Sequence, residues 1–188
     1  MITDSWLSPW CVGNIKGSWL CNSKTANRIP SSVSLIEEGD ITETYVGELA
    51  TYSGFGESEY FRLSHSSDIT IPDTDWSFMW HQKVSVTGDR QTIFEIASNT
   101  YEDNYLSMSI EEDGTAKFVY NVDENEITIR SNAKIAIDRW THCILSRRGY
   151  WITLQMNGVT IFSVNLTNNT NFNPNVTIVG NGLSLIHI

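Results

Sequence analysis

Trp151, Thr153, Gln155 and Phe162 are the side chains in this sequence best suited to holding a sugar ring. Flat aromatic faces stack on the C–H face of a pyranose, and a hydroxyl and an amide beside them supply hydrogen bonds. The four residues flank Asn157-Gly158, a pair whose members both accept positive φ and so close a two-residue hairpin. With that turn, Met156 faces Val159, Leu154 faces Ile161 and Ile152 faces Ser163 on one face of the ladder. On the other face Gln155 meets Thr160, Thr153 meets Phe162, and Trp151 meets Val164. The first face is apolar and reads as core. The second is mixed, so Trp151 and Phe162 either lie under a neighbouring loop or form an open aromatic platform.

Nucleophilic chemistry fits less well. His142 and Cys143 are adjacent, and neighbours on a strand point to opposite faces, so they do not pair as base and nucleophile. His142 is expected in or near the core, with its ring nitrogens bonded to backbone or water. Cys143 reads as a small apolar strand residue. Cys11 and Cys21 could close a short loop in an oxidising setting, but three cysteines make neither a disulfide framework nor a zinc ligand set. Asn165, Asn168 and Asn175 each open an Asn-x-Thr triplet, which arises readily by accident in a chain this rich in Asn and Thr.

The elements that would position these residues are strands. Trp76, Phe78 and Trp80 alternate with Ser77, Met79 and His81, and Thr92–Ile96 is another run. Leu106, Met108 and Ile110 alternate with Ser107 and Ser109 before a turn at Asp113-Gly114 and a run from Ala116 to Tyr120. Ile127 and Ile129 alternate with polar residues, and residues 133–137 read as a further short strand. Turn residues separate the runs at short intervals, and no window has apolar residues at helical spacing over several turns. Repeated half-buried antiparallel strands mean a sandwich or jelly roll.

Composition narrows the partners. A chain of 188 residues is enough for one domain with a real core. Its net charge of −10, with 18% charged residues, leaves no basic stripe for nucleic acid or an anionic membrane surface. No apolar run approaches the length of a membrane-spanning helix, and the N-terminal residues carry no secretory signal pattern. Residues 1–45 behave differently from the rest. Trp6, Trp10 and Trp19 are scattered among Pro, Gly, Ser and Asn without periodicity, and residues 23–34 are polar. They read as an N-terminal extension or linker, with the sandwich running from 46 to 182.

Between Gly47 and Gly180 the chain resembles the laminin-G-like domains of the concanavalin A-like lectin/glucanase group. The matching pieces occur in the family's order: Tyr60-Phe61-Arg62-Leu63, then Trp76-Ser77-Phe78-Met79-Trp80, then the turn Asp113-Gly114. Trp140-Thr141-His142, Leu154-Gln155-Met156-Asn157-Gly158 and Val176-Thr177-Ile178-Val179-Gly180 follow. The resemblance implies an all-β, two-sheet antiparallel jelly-roll sandwich. Phe78, Trp140, Leu154 and Ile178 are expected on separate strands around one apolar interior.

The same family includes glucanases, which carry Glu-x-Asp-x-x-Glu or a near relative on one strand, since glycoside hydrolysis needs two carboxyls at a set separation. Here Glu57/Glu59 and Glu124/Glu126 could share a strand face, but neither pair has the third carboxylate or apolar spacers. Glu111-Glu112-Asp113 reads as a solvated turn. Family members often hold calcium at the sandwich rim. The resemblance therefore implies a calcium candidate in Glu102, Asp103 and Asn104 of the loop 99–104, with Asp68 or Asp123 as distant partners, set against a plain acidic loop.

Leu183–Ile188 is what CTG TCT CTT ATA CAC ATC encodes, and that DNA resembles the end of a transposase adapter used in shotgun libraries. These six residues therefore read as a scar rather than native chain, the alternative being a genuine strand. On the scar reading the sandwich lacks its final strand, or the scar mimics it.

Together these features favour a non-catalytic module that recognises a glycan or cell-surface receptor. The resemblance extends to laminin-G-like domains of phage tails and virion surfaces, which implies a virion or extracellular location and other virion or adhesin subunits as partners. Nucleic acid and membrane insertion are not expected. A polysaccharide-cleaving hydrolase or a structural spacer of the same fold are the alternatives.

Overall fold

Val, Ile, Thr and aromatic residues alternating with polar ones fit a pleated surface with one wet face, and that pattern governs this chain. The computed structural model describes residues 34–46, 49–64, 75–84, 88–97, 104–122, 125–166, 176–179 and 185–187, the last two segments by their backbone course. Fourteen strands run through them: β1 (Leu35–Glu38), β2 (Thr42–Val46), β3 (Leu49–Ser53), β4 (Tyr60–Ser64), β5 (Trp76–Lys83), β6 (Gln91–Ala97) and β7 (Tyr105–Ile110). There follow β8 (Thr115–Val122), β9 (Asn125–Lys134), β10 (Trp140–Arg148), β11 (Trp151–Met156), β12 (Val159–Asn165), β13 (Val176–Val179) and β14 (Leu185–His187). The described residues contain no helix, and so none long and apolar enough to cross a membrane.

The strands form two seven-stranded sheets. One has the order β1-β4-β13-β6-β7-β8-β9, the other β12-β11-β10-β5-β14-β3-β2. Every ladder is antiparallel. The inner faces meet through aromatic pairs along the whole width of the sandwich. Phe118 of the first sheet lies 6.1 Å from Phe162 of the second. Phe94 packs on Phe78 at 5.3 Å and edge-on against Trp80 at 5.6 Å, and Tyr52 meets Phe61 edge-on at 5.5 Å. Each such ring taken out of water stabilises by about 1.5–3 kcal/mol. This is the two-sheet sandwich that the alternation predicts.

Three expectations change. Residues 35–46 are not extension: β1 pairs with β4 and β2 with β3, so the sandwich begins at least as early as Leu35. Residues 1–33 lie outside the described residues. Trp140 does not face the interior. It opens β10 on the outer face and is 37% exposed, because the inward phase of that strand belongs to Thr141, Cys143, Leu145 and Arg147. The short strand expected at 133–137 is instead the end of β9, followed by a single bridge between Ile137 and Val84. The place between β3 and β5 is taken by β14, drawn from the residues 183–188 read as adapter-encoded, which is one of the two outcomes that reading allows; Ile186 lies opposite both Tyr52 and Gln82, and His187 opposite His81.

Candidate functional site

The outer face of the second sheet is set by strand phase. β5 turns Ser77, Met79 and His81 outward, β10 turns out Trp140, His142, Ile144, Ser146 and Arg148, and β11 turns out Trp151, Thr153 and Gln155. Ser163 and Asn165 of β12 continue it. The face is short of charge and rich in hydroxyls. Thr153 and Ser163 hydrogen-bond across the strands at 3.0 Å.

The most protein-like preorganisation on this face is at its rim, in the β10–β11 turn. Gly149 takes a positive φ of 57°, which lets the chain reverse in two residues. Three hydrogen bonds from outside then hold the turn. The Gly149 N–H donates to Asp75 Oδ1 at 2.8 Å, the Gly149 carbonyl accepts from Arg147 Nε at 2.9 Å, and the Tyr150 carbonyl accepts from the Leu166 N–H at 2.6 Å. Arg147 is only 1% exposed, so its guanidinium reaches the turn from inside the sandwich. The result is a fixed loop presenting Tyr150 and Trp151, 49% and 50% exposed, with Arg148 directly opposite Trp151. Half-exposed aromatics on a rigid mount can stack on a flat apolar partner without losing much side-chain freedom.

Of the four residues expected to share a face, the structure brings together three. Trp151, Thr153 and Gln155 lie outward on β11. Phe162 does not join them. The ladder between β11 and β12 keeps Met156 opposite Val159 and Gln155 opposite Thr160, then slips so that Leu154 meets Phe162, Thr153 meets Ser163 and Trp151 meets Asn165. Ile161 is the extra residue of a β-bulge, and every later side chain on β12 changes face. Phe162 therefore turns inward and is 9% exposed, seated against Phe118. The open platform of Trp151 with Phe162 therefore does not form; the exposed aromatics at this rim are Trp151 and Tyr150. Tyr150, Arg148 and Asp75 were missed in the sequence. The signal for the first was an aromatic pair directly after a turn glycine; Asp75 is distant in the chain and gave none.

His142 is likewise not in the core. It sits half-buried on the outer face, its ring centroid 4.7 Å from that of His81 across the β5–β10 ladder. Cys143 points the opposite way and is fully buried. Burial alone pushes its thiol up to about 12, so it is no nucleophile.

The carboxylates considered for hydrolysis are scattered. Glu57 and Glu59 lie in the loop between β3 and β4. Glu111 binds Arg130 at 2.9 Å, and Asp113 caps its own turn by accepting from the Thr115 N–H and hydroxyl. Glu126 lies on the outer face of the first sheet, where hydrogen bonds from Tyr105 and Thr128 hold its carboxyl below the usual range. Glu95 on the same face is raised by desolvation, with Arg90 opposing. Glu124, the partner considered for Glu126, lies outside the described residues; so do the calcium candidates Glu102, Asp103, Asp68 and Asp123, which leaves Asn104 alone described. Among the described residues no group of three or more His, Cys, Asp or Glu side chains is placed to hold a metal ion.

Residues 55–184 match the sequence profile of a laminin-G-type family described as the concanavalin A-like lectin/glucanases superfamily. Among curated protein sequences, none matches. Solved structures similar to this chain include the binding domain of botulinum neurotoxin serotype G, with a TM-score of 0.73 at 12% identity over 92% of this chain and 46% of that one. A structure of botulinum neurotoxin type C, a toxin that depends on interaction with two ganglioside molecules to enter cells, aligns with a TM-score of 0.65 at 16% identity over 89% and 44%. The binding domain of Paraclostridial Mosquitocidal Protein 1 gives 0.61 at 13% over 84% and 44%. This chain thus spans less than half the length of each, and at such identity the likeness is one of fold.

Proposed function

The chain belongs to the concanavalin A-like lectin/glucanases superfamily, and from that membership together with the pinned aromatic rim we propose that it is a non-catalytic carbohydrate-binding module. The observation that carries the reading is the Gly149-Tyr150 turn, fixed from three sides and presenting Tyr150 and Trp151 half-exposed beside Arg148. Trp151 stacks on a pyranose face, while Thr153, Ser146, Gln155 and Arg148 offer hydrogen bonds around it. The solved binding domains of similar fold support a receptor-recognition role, as does the ganglioside dependence of one of those toxins. A chain rich in Ser, Thr and Asn and low in Lys is in keeping with a subunit of a phage tail, virion surface or adhesin that contacts a host glycan.

Hydrolysis is the second reading, favoured by one feature. On the outer face of the first sheet, Glu95 is raised and Glu126 lowered, the split that an acid–base pair needs. Their strands, β6 and β9, are separated by β7 and β8. Three strand spacings put about 14 Å of backbone between them, with Tyr105 and Asn121 in between, which is wide for a two-carboxyl site.

A glycan array probed with and without a calcium chelator tests the first reading, with the bound glycans then assayed for released reducing sugar. The expected result is binding to a restricted set of glycans with no cleavage. No binding to any glycan would move the weight to a structural spacer. Cleavage that disappears in Glu95→Gln would establish the hydrolase. The chelator arm also addresses calcium at Glu102, Asp103 and Asn104.

A further inference from the structure

The middle of the second sheet's outer face carries a donor set that sugar binding does not use. His142 and His81 are direct cross-strand partners, and Met79 lies two residues before His81 on the same face of β5. The pair is of the close kind. The His142 N–H donates to Asn157 Oδ1 at 2.9 Å and its carbonyl accepts from the Asn157 N–H at 2.8 Å. In an antiparallel strand both main-chain groups of a residue point to the same side, here toward β11. Toward β5, His142 is therefore in a non-hydrogen-bonded position, where Cα atoms approach to about 4.5 Å and side chains are nearest. The 4.7 Å between ring centroids follows from this.

Met79 is diagonal to His142, within reach of a long side chain, and its thioether end can move to suit a ligand. It is 58% exposed, with Ile144 as its direct cross-strand partner. No Asp or Glu occurs anywhere in β5, β10 or β11, so nothing there suits calcium or magnesium. Two imidazoles and a thioether are neutral, soft-to-borderline ligands. That set favours copper, in its monovalent state above all, over zinc, which would want thiolate or carboxylate to complete a tetrahedron.

We infer that Met79, His81 and His142 form a binding site for monovalent copper. The site is separate from the Trp151 rim, and neither reading depends on the other.

The test uses the full chain, tag-free, carrying Cys11→Ser, Cys21→Ser and His187→Ala so that other thiols and the next histidine in the row do not contribute. Cu(I) is titrated anaerobically against a chromophoric chelator, with Zn(II) in parallel. One equivalent of Cu(I) is expected. His81→Ala and His142→Ala should each weaken its binding about tenfold or more, and Met79→Leu should weaken Cu(I) about tenfold while leaving Zn(II) unchanged. All three side chains face solvent, so the variants should keep the parent's circular dichroism. X-ray absorption of the loaded parent should show one sulfur and two nitrogen scatterers, a readout that stands even if a variant misfolds. No uptake by the parent, unchanged affinity in the variants, or a sulfur-free copper shell would each overturn the assignment.

Discussion

At the residue scale, side-chain direction decides what each candidate can do. Trp151 was legible as an outward-facing residue because its strand phase is set by local alternation with Ile152 and Leu154. Phe162 was not, because its direction depends on a bulge that local sequence does not announce. The two should therefore respond oppositely to truncation. Phe162→Ala should cost about 3–5 kcal/mol through the cavity left against Phe118, while Trp151→Ala should change stability little, as urea unfolding of the two variants would show. Cys143 gives a prediction in pH. Its folded-state value is raised from 9.0 to about 12 by burial. Below pH 9 both folded and unfolded chains keep the proton, so the thiol adds no pH dependence. Above pH 9 the unfolded chain ionises first, and stability falls by at most about 1.4 kcal/mol per pH unit until the folded value is reached. Urea midpoints of the wild type and Cys143→Ala, compared from pH 8 to 11, should diverge in slope only above pH 9. Parallel slopes would mean that the thiol is not buried as described.

At the element scale, alternation and turn chemistry made most strands legible between Tyr60 and Val164, including the Asn157-Gly158 hairpin. Asn157 and Gly158 both have positive φ, at 50° and 79°, as that turn requires. The register beyond the turn was not legible. Either Ile161 or Phe162 could have faced inward, and the choice depends on the space beside Phe118, a residue more than forty positions away in the chain. His142 went wrong for a similar reason, since its neighbour Cys143 took the inward phase. The bulge makes a direct prediction. Deleting Ile161 removes the extra residue and leaves all other side chains of β12 on their faces, so it should cost only the half-buried isoleucine, about 1–2 kcal/mol. Deleting Ser163 instead sends Val164 outward and Asn165 inward, and should cost much more. Thermal melts of the two deletions should differ clearly. Equal damage would contradict the bulge.

At the scale of the whole molecule, the sandwich is built from strands distant in sequence. β5 pairs with β10, β13 inserts between β4 and β6, and β14 between β5 and β3. Neither sheet can be completed from one part of the chain, so the described strands should unfold as a unit and refold in milliseconds to seconds. Tryptophan fluorescence and far-ultraviolet circular dichroism should report one coincident transition, and a separate early loss of one sheet would contradict this. The two-layer architecture was legible because strands such as β5, β10 and β11 alternate with a period of two. The inclusion of residues 35–46 was not, because β1 and β2 are short strands at sheet edges with polar sequences, and a strand with one neighbour need not alternate strongly. The function proposed for the assembled face rests on Trp151 standing outward on a fixed turn. Calorimetric titration of the best array glycan into wild type, Trp151→Ala and Phe162→Leu tests this most directly. The expected result is a loss of about tenfold or more for Trp151→Ala, with Phe162→Leu binding as the wild type does. Unchanged affinity in Trp151→Ala would show that the sugar, if bound at all, is held elsewhere.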